Sequence, residues 1–195
     1  MEKETETKRY RHDFTNHLIC LGEIAKEGNT NGVTSYISNL QETAIEIQSK
    51  TFFTGCNILD IFINYYAHLL DIDTVVTVKG KCSRDLAIND VDMCIIFANL
   101  LQNAVENLNR QDHEEKYMRV DVKEGDVYLK VLIINSLGSE TSKIEKFSTT
   151  KKEKENHGYG LANITEAVKR NEGHFSIEIC NNECIASVTL KNKTN

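Results

Sequence analysis

Asp90-Val-Asp-Met-Cys-Ile-Ile-Phe-Ala-Asn99-Leu-Leu-Gln-Asn103-Ala-Val-Glu106-Asn-Leu-Asn109 is the stretch on which the fold turns. Val91, Cys94/Ile95, Ala98, Leu101, Val105 and Leu108 recur at spacings of three and four, which predicts a helix with these residues on its inner face. Asn99, Asn103 and Glu106 recur at four and three beside that face, so three polar side chains in line can point into one cleft. A polar stripe on an amphipathic helix is usually a solvated face, and its meaning depends on what surrounds it.

Upstream, Asn57 to Leu70 is apolar at helical spacing (Ile58, Ile61/Phe62, Tyr65, Leu69), and Thr74-Val-Val-Thr-Val78 reads as a strand ended by Lys79-Gly80. Downstream, Tyr117 to Lys123 and Val127 to Asn135 read as strands joined at Glu124-Gly125-Asp126. Ser136 to His157 is charged and poor in apolar residues, which predicts a long loop or lid. A helix from about Gly160 to Asn171 precedes a last hairpin, His174 to Cys180 with Cys184 to Leu190 around Asn181-Asn182. The order α-β-α-β-β-lid-α-β-β predicts an α+β fold, an α/β sandwich with helices on one face of a mixed, mostly antiparallel sheet.

The first 50 residues follow a different rule. Tyr10, Phe14, His17/Leu18, Leu21 and Ile24 form one seam, Gly28 ends it, and Val33, Ile37, Leu40, Ala44 and Ile47 form a second after the cap-rich Asn29-Thr30-Asn31. Such a hairpin has too little apolar surface to stand alone, so pairing of two copies into a four-helix bundle is expected, and with it a homodimer. Residues 1–50 are therefore read as a dimerisation hairpin and 51–195 as a second domain.

Composition narrows the function. A formal charge of −6 argues against nucleic acid or anionic membrane as the main partner, since both reward excess Lys and Arg. The six cysteines contain no C-x-x-C pair, which argues against a zinc site or a disulfide framework and suggests reduced core thiols. No stretch reaches the roughly 18 apolar residues of a membrane span.

Arg11-His12-Asp13-Phe14-Thr15-Asn16-His17-Leu18 packs a histidine, a carboxylate and an amide into little more than one helical turn. His12 lies two residues from both Tyr10 and Phe14 and so falls opposite the seam, with Asn16 one turn further on the same face. Asp13 is adjacent and can hydrogen-bond one imidazole nitrogen, fixing the tautomer and leaving the other a better nucleophile. Gly158-Tyr-Gly160-Leu161 opens a helix, where small residues let backbone N–H groups approach phosphate. Phe147-Ser-Thr-Thr-Lys151 precedes it.

Arg-His-Asp-x-x-Asn-His on the first helix of a hairpin, then Asn99-Leu-Leu-x-Asn103-Ala, then Gly158-x-Gly160-Leu161-x-Asn163 resemble the sensor histidine kinases, specifically the peptide-pheromone-receptor group of Gram-positive bacteria. The resemblance runs from about Tyr10 to Leu190. It implies a catalytic domain of the gyrase/Hsp90/histidine kinase/MutL superfamily that binds ATP and Mg²⁺, with His12 as phosphoacceptor, Asp13 as its base and Asn16 as the amide that places a water for dephosphorylation. It implies that Asn103 carries the metal and Asn99 supports it, that Lys151 reaches a phosphate, and that Gly158, Gly160, Leu161 and Asn163 form the glycine box. Most members have an Asp-x-Gly box where this chain reads Asn135-Ser136-Leu137-Gly138; the receptor-type kinases also carry asparagine, which gives Asn135 part of the adenine-binding role. A cytoplasmic response regulator is the implied partner, and a membrane sensor is expected upstream. Two alternatives stay open: an ATPase or serine kinase of the same superfold, and a non-catalytic dimeric adaptor with a degenerate pocket.

Overall fold

The computed structural model describes residues 15–40, 52–83, 86–112, 115–138 and 158–192. Contacts divide the chain into Met1–Glu46 and Ile47–Asn195.

In the first unit, residues 15–26 form α1 and Thr30–Leu40 form α2. Gly28, at φ 70°, makes the turn, and the Asn29 carboxamide accepts from Gly32 N–H at 2.8 Å, capping α2. His17, expected at a core or interface, is half-buried and meets the Tyr36 hydroxyl at 3.1 Å, which ties the two helices together. No residue of α2 is buried, and Leu18, Ile37 and Leu40 of the seams are largely exposed.

In the second unit, α3 (Asn57–His68), β1 (Val75–Lys81), α4 (Asp90–Asn109), β2 (Tyr117–Glu124), β3 (Tyr128–Ser136), α5 (Gly158–Arg170), β4 (His174–Cys180) and β5 (Glu183–Lys191) follow in order. The five-stranded sheet runs β1-β2-β3-β5-β4, with β1 parallel to β2 and every other pair antiparallel. Alternation sends Met118, Val120, Val122, Leu129, Val131, Ile133, Val188 and Leu190 to one face, where they meet Leu59, Ile63, Ile96, Phe97, Leu101, Ile164 and Ala167 from the helices. Burying a side chain such as the fully enclosed Phe97 contributes about 2–3 kcal/mol. This is the expected α+β sandwich with a mixed sheet.

Several local expectations change. Leu101, Val105 and Leu108 are buried as read, but the rest of the buried face of α4 runs through Met93, Ile96, Phe97, Leu100 and Ala104, while Val91 is 65% exposed and Cys94, Ile95 and Ala98 are half-buried. Apolar residues fill so much of 91–101 that spacing leaves the rotation of the helix undetermined; packing against α3 and α5 decides it. Gly80 does not end β1. At φ 87° it pairs with Val122, and a Cβ there would stand 1.8 Å from the Val122 carbonyl oxygen, so glycine is what lets the strand continue to Lys81. The thiols are not uniformly core: Cys56 and Cys184 are buried, Cys82 and Cys94 half-buried, Cys20 and Cys180 exposed. The β4–β5 turn behaves as read, with Asn181 and Asn182 at φ 49° and 60°, the left-handed pair of a type I′ hairpin.

Candidate nucleotide site and phosphoacceptor turn

The Asn89 side chain caps α4 by accepting from Val91 N–H at 2.8 Å. Seven residues beyond Asp92, the Asn99 amide donates to the Ile95 carbonyl at 2.6 Å, which turns its oxygen toward α5. There it meets Gly160: a Cβ at that position would lie 2.9 Å from Asn99 Oδ1. Two residues from separate motifs thus lie side by side, and a side chain at position 160 would press on the Asn99 carboxamide. Asn103 follows one turn later, half-buried on the same flank. Glu106 accepts from Gln102 Nε2 at 2.8 Å and pairs with Arg110 at 3.6 Å, so its carboxylate is engaged by its own helix.

Gly158 and Gly160 fall inside the first turn of α5, at the helix end toward which the backbone N–H groups point. Leu161 is half-buried against the core, a packing position, whereas Asn163 is exposed. The far end of α5 is fastened to α4. Asp92, only 8% exposed, accepts from Arg170 Nη2 and Nε at 2.5 and 3.1 Å and from Asn171 Nδ2 at 2.8 Å. The Arg170 guanidinium, with help from the Asn171 amide, holds the Asp92 carboxyl below the usual carboxylate range against the opposing effect of burial. Antiparallel α4 and α5 therefore touch through a charged clamp at one end and through Asn99 and Gly160 at the other.

Asn135 lies on the helix-facing side of β3, between Met118 and Cys184, and is 3% exposed. Its amide donates to the Ser136 carbonyl at 2.9 Å. That strand end is fixed from three directions: Gln111 Nε2 donates to the Ser136 carbonyl, Tyr117 N–H donates to Ser136 Oγ, and Leu137 N–H donates to the Asn182 carbonyl. Beside it the Tyr117 hydroxyl donates to Glu183 at 2.5 Å, and the Glu183 carboxylate, aided by burial, pushes the phenol up to about 12.

Asp92, Gln111, Arg170 and Asn171 were not singled out in the sequence. Once the true inner face of α4 is known, Asp92 is a carboxylate in an apolar row, a position that demands a partner; the Lys169-Arg170-Asn171 run at the end of α5 supplies it. His12, Asp13 and Lys151 lie outside the described residues, while Asn16 is exposed on α1. Among the described residues a groove of about 390 Å³ opens between α3 and β1, beside Phe52, His68, Ile72 and Val76, and shares no residue with this site.

The residues suit a magnesium nucleotide. A cation here would draw on the Asn103 carbonyl oxygen, half-buried on the flank of α4, with phosphate oxygens and water, a set that Mg²⁺ accepts.

A GHKL domain model matches residues 88–191, more than half of the chain, and the chain belongs to that family. Membership supports ATP as a ligand of this domain. Among solved structures, the chain is similar to the mycobacterial sensor histidine kinase MprB, with 12% identity over 71% of this chain and 95% of that one and a TM-score of 0.51. A nucleotide-free catalytic domain of histidine kinase ThkA gives 14%, 69%, 88% and 0.50, and the histidine kinase domain of the Erythrobacter litoralis blue-light activated kinase EL346 gives 10%, 80%, 69% and 0.49. At these identities the likeness concerns the fold. No curated protein matches the chain. Among the described residues no helix is long and apolar enough to cross a membrane.

Proposed function

We propose that this chain is the kinase portion of a two-component sensor histidine kinase of the peptide-pheromone-receptor type, with residues 1–50 as the dimerisation and phosphotransfer hairpin and 51–195 as the ATP-binding catalytic domain. The observation that carries the reading is the contact of the Asn99 carboxamide with Gly160, which joins the asparagine helix to the glycine-bearing helix start. The exposed seam of α1 and α2 supports a homodimer through the hairpin.

Phosphoryl transfer needs alignment and charge neutralisation more than covalent participation by the protein. In this reading Asn99 sets the start of α5, whose N–H groups face the phosphates; Asn103 offers its oxygen to Mg²⁺, and Lys151 adds positive charge. The cation supplies neutralisation of charge on the phosphate oxygens. Asn135 contributes to adenine recognition from the end of β3. Asp13 holds one nitrogen of His12 and leaves the other to attack the γ-phosphorus: the N–P bond forms, the bond to the bridging β–γ oxygen breaks, and ADP leaves. A response-regulator aspartate then takes the phosphoryl group, and Asn16 places the water that reverses the modification. The signal-sensing part is expected in a membrane segment upstream.

Incubation with γ-labelled ATP is expected to give an acid-labile, base-stable label that is lost in His12→Gln. Label retained in that variant overturns the assignment. An acid-stable label favours a serine kinase of the same superfold, and absence of calorimetric heat with ATP and Mg²⁺ favours a dimeric adaptor.

A further inference from the structure

Helices α3, α4 and α5 pack on one face of the sheet, and the other face carries a local charge opposite in sign to that of the chain as a whole. Register sets Lys81 opposite Lys123 and Lys123 opposite Lys130, so one lysine from each of β1, β2 and β3 stands in a single row. Lys79 lies one row away on β1. All four are exposed, and they share the outer face because their chain neighbours Val78, Val122, Leu129 and Val131 turn to the core.

Neighbouring strands lie about 4.8 Å apart, and like charges directly opposite one another destabilise a sheet. Other lysines of this domain have counter-ions: Lys116 pairs with Asp71 at 2.9 Å and Lys191 with Glu172 at 3.0 Å. Among the described residues the ammonium groups of Lys79, Lys81, Lys123 and Lys130 have no such partner. Asp121, opposite Lys79, is drawn to Arg119 at 3.2 Å. The Glu124 carboxylate accepts from Ser83 N–H and Oγ and from Asn192, and Asp126 sits beyond the row in the β2–β3 turn. Lysine on an edge strand guards against unwanted strand pairing, which accounts for Lys79 and Lys81. Strands β2 and β3 are paired on both sides, so Lys123 and Lys130 guard no edge.

The character of the face selects the partner. Ser176, Ser187 and Thr189 continue the outer surface across β5 and β4 with short side chains, so the lysines stand on a flat ground. Arg119 is already engaged by Asp121, which leaves point charges on flexible stems and no fork for bidentate capture of a discrete phosphate or carboxylate. The centres of protein interfaces are depleted in lysine, and Ile134, the apolar residue at the middle of this face, is only 2% exposed. Exposed Tyr128, two residues before Lys130 on the same face, offers a ring of the kind that sits at the level of lipid headgroups. We propose that the lysine row of β1, β2 and β3 docks the second unit on an anionic lipid surface. The chain's charge of −6 opposes approach from a distance, but at physiological ionic strength the Debye length is about 8 Å and the local excess decides.

The test mixes the full chain with vesicles of phosphatidylserine and phosphatidylcholine in equal parts, or of phosphatidylcholine alone, and measures co-sedimentation. Binding is expected to the mixed vesicles only, and to be lost in about 1 M salt, where the Debye length shrinks to about 3 Å. Each lysine near such a surface contributes about fivefold, so glutamine at 81, 123 and 130 together is expected to weaken partition roughly a hundredfold. Arginine at the same three positions is expected to retain it, and an equal loss of charge through Lys26→Gln, Arg110→Gln and Lys169→Gln is expected to leave it within a fewfold of wild type. Relief of the opposed charges should keep the urea midpoint of the Lys81→Gln, Lys123→Gln, Lys130→Gln protein at or above that of wild type, which separates lost binding from lost folding. The proposal is overturned if wild type ignores phosphatidylserine, or if the three glutamines leave partition unchanged. Binding of poly-glutamate or duplex DNA at this face in place of the vesicles also overturns it, in favour of an acidic protein or a nucleic acid. The assay needs neither ATP nor His12, so its outcome is independent of the kinase assignment.

Discussion

Gly160→Ala isolates the contact on which the site is built. Its φ is ordinary for a helix, so alanine alone would stabilise α5 by up to ~1 kcal/mol. Against that stands the new Cβ at 2.9 Å from Asn99 Oδ1, several tenths of an ångström inside ordinary contact, with Asn99 held by its 2.6 Å bond to the Ile95 carbonyl. Forcing an extra methyl into such a position costs about 1–3 kcal/mol. The clash wins: Gly160→Ala is expected to lower stability by ~1 kcal/mol and to weaken ATP binding. In an Asn99→Ala background the opposing oxygen is gone, and the same substitution is expected to stabilise by up to ~1 kcal/mol, a coupling of about 2 kcal/mol. Urea unfolding of the four proteins measures it. Additivity within about 0.5 kcal/mol, the range of independent sites, would refute the reasoning.

Asp92→Asn keeps the shape but sets an amide donor against the Asn171 amide, with an expected loss of ~1.5 kcal/mol, modest because Arg170 is half exposed. Because the folded Asp92 pKa is depressed, its contribution is present above the unfolded value of about 3.9 and lost as pH falls through the folded one; the urea midpoints of wild type and variant should converge below pH ~4. Tyr117 has the opposite sign. Its phenol is raised to about 12, so its contribution is complete below the unfolded value of about 10 and fades as pH climbs toward 12. Tyr117→Phe should remove that alkaline loss, and an unchanged alkaline profile would count against the Glu183 bond. Gly80→Ala places a Cβ 1.8 Å from the Val122 carbonyl oxygen at a φ of 87°, so a loss of ~3 kcal/mol or more is expected; a melting temperature near wild type would contradict the pairing.

The sequence was most legible where one local rule had no competitor. Asn181-Asn182 between two alternating runs left one hairpin to draw, and α4 begins and ends at Asp90 and Asn109, the stretch read as a helix from its periodicity. It was least legible where several residues satisfied the rule equally. The near-continuous apolar run from Val91 to Leu101 allowed more than one inner face, and Asp92 turned inward because Arg170 and Asn171, some eighty residues away, supply its partners. Gly80 shows the same limit from the other side: a glycine after a strand reads as an end until a neighbouring backbone is known to lie against it. Within the candidate site, spacing placed Asn99 and Asn103 on one flank, but the meeting of Asn99 with Gly160 joins two motifs that nothing local connects. Leu161, grouped with the glycines by motif, belongs to the core.

The parallel pairing of β1 with β2 has a kinetic consequence. The β2–β3 and β4–β5 hairpins can find register from within a few residues of chain, whereas β1 must wait until α4 has carried the polypeptide back along the sheet. Edge position and a largely exposed register give β1 little else to hold it. Its amides should therefore exchange with solvent deuterium sooner than those of β3, and the assembled sheet should tolerate transient departure of this outer strand while the hairpins and α4 keep their shape.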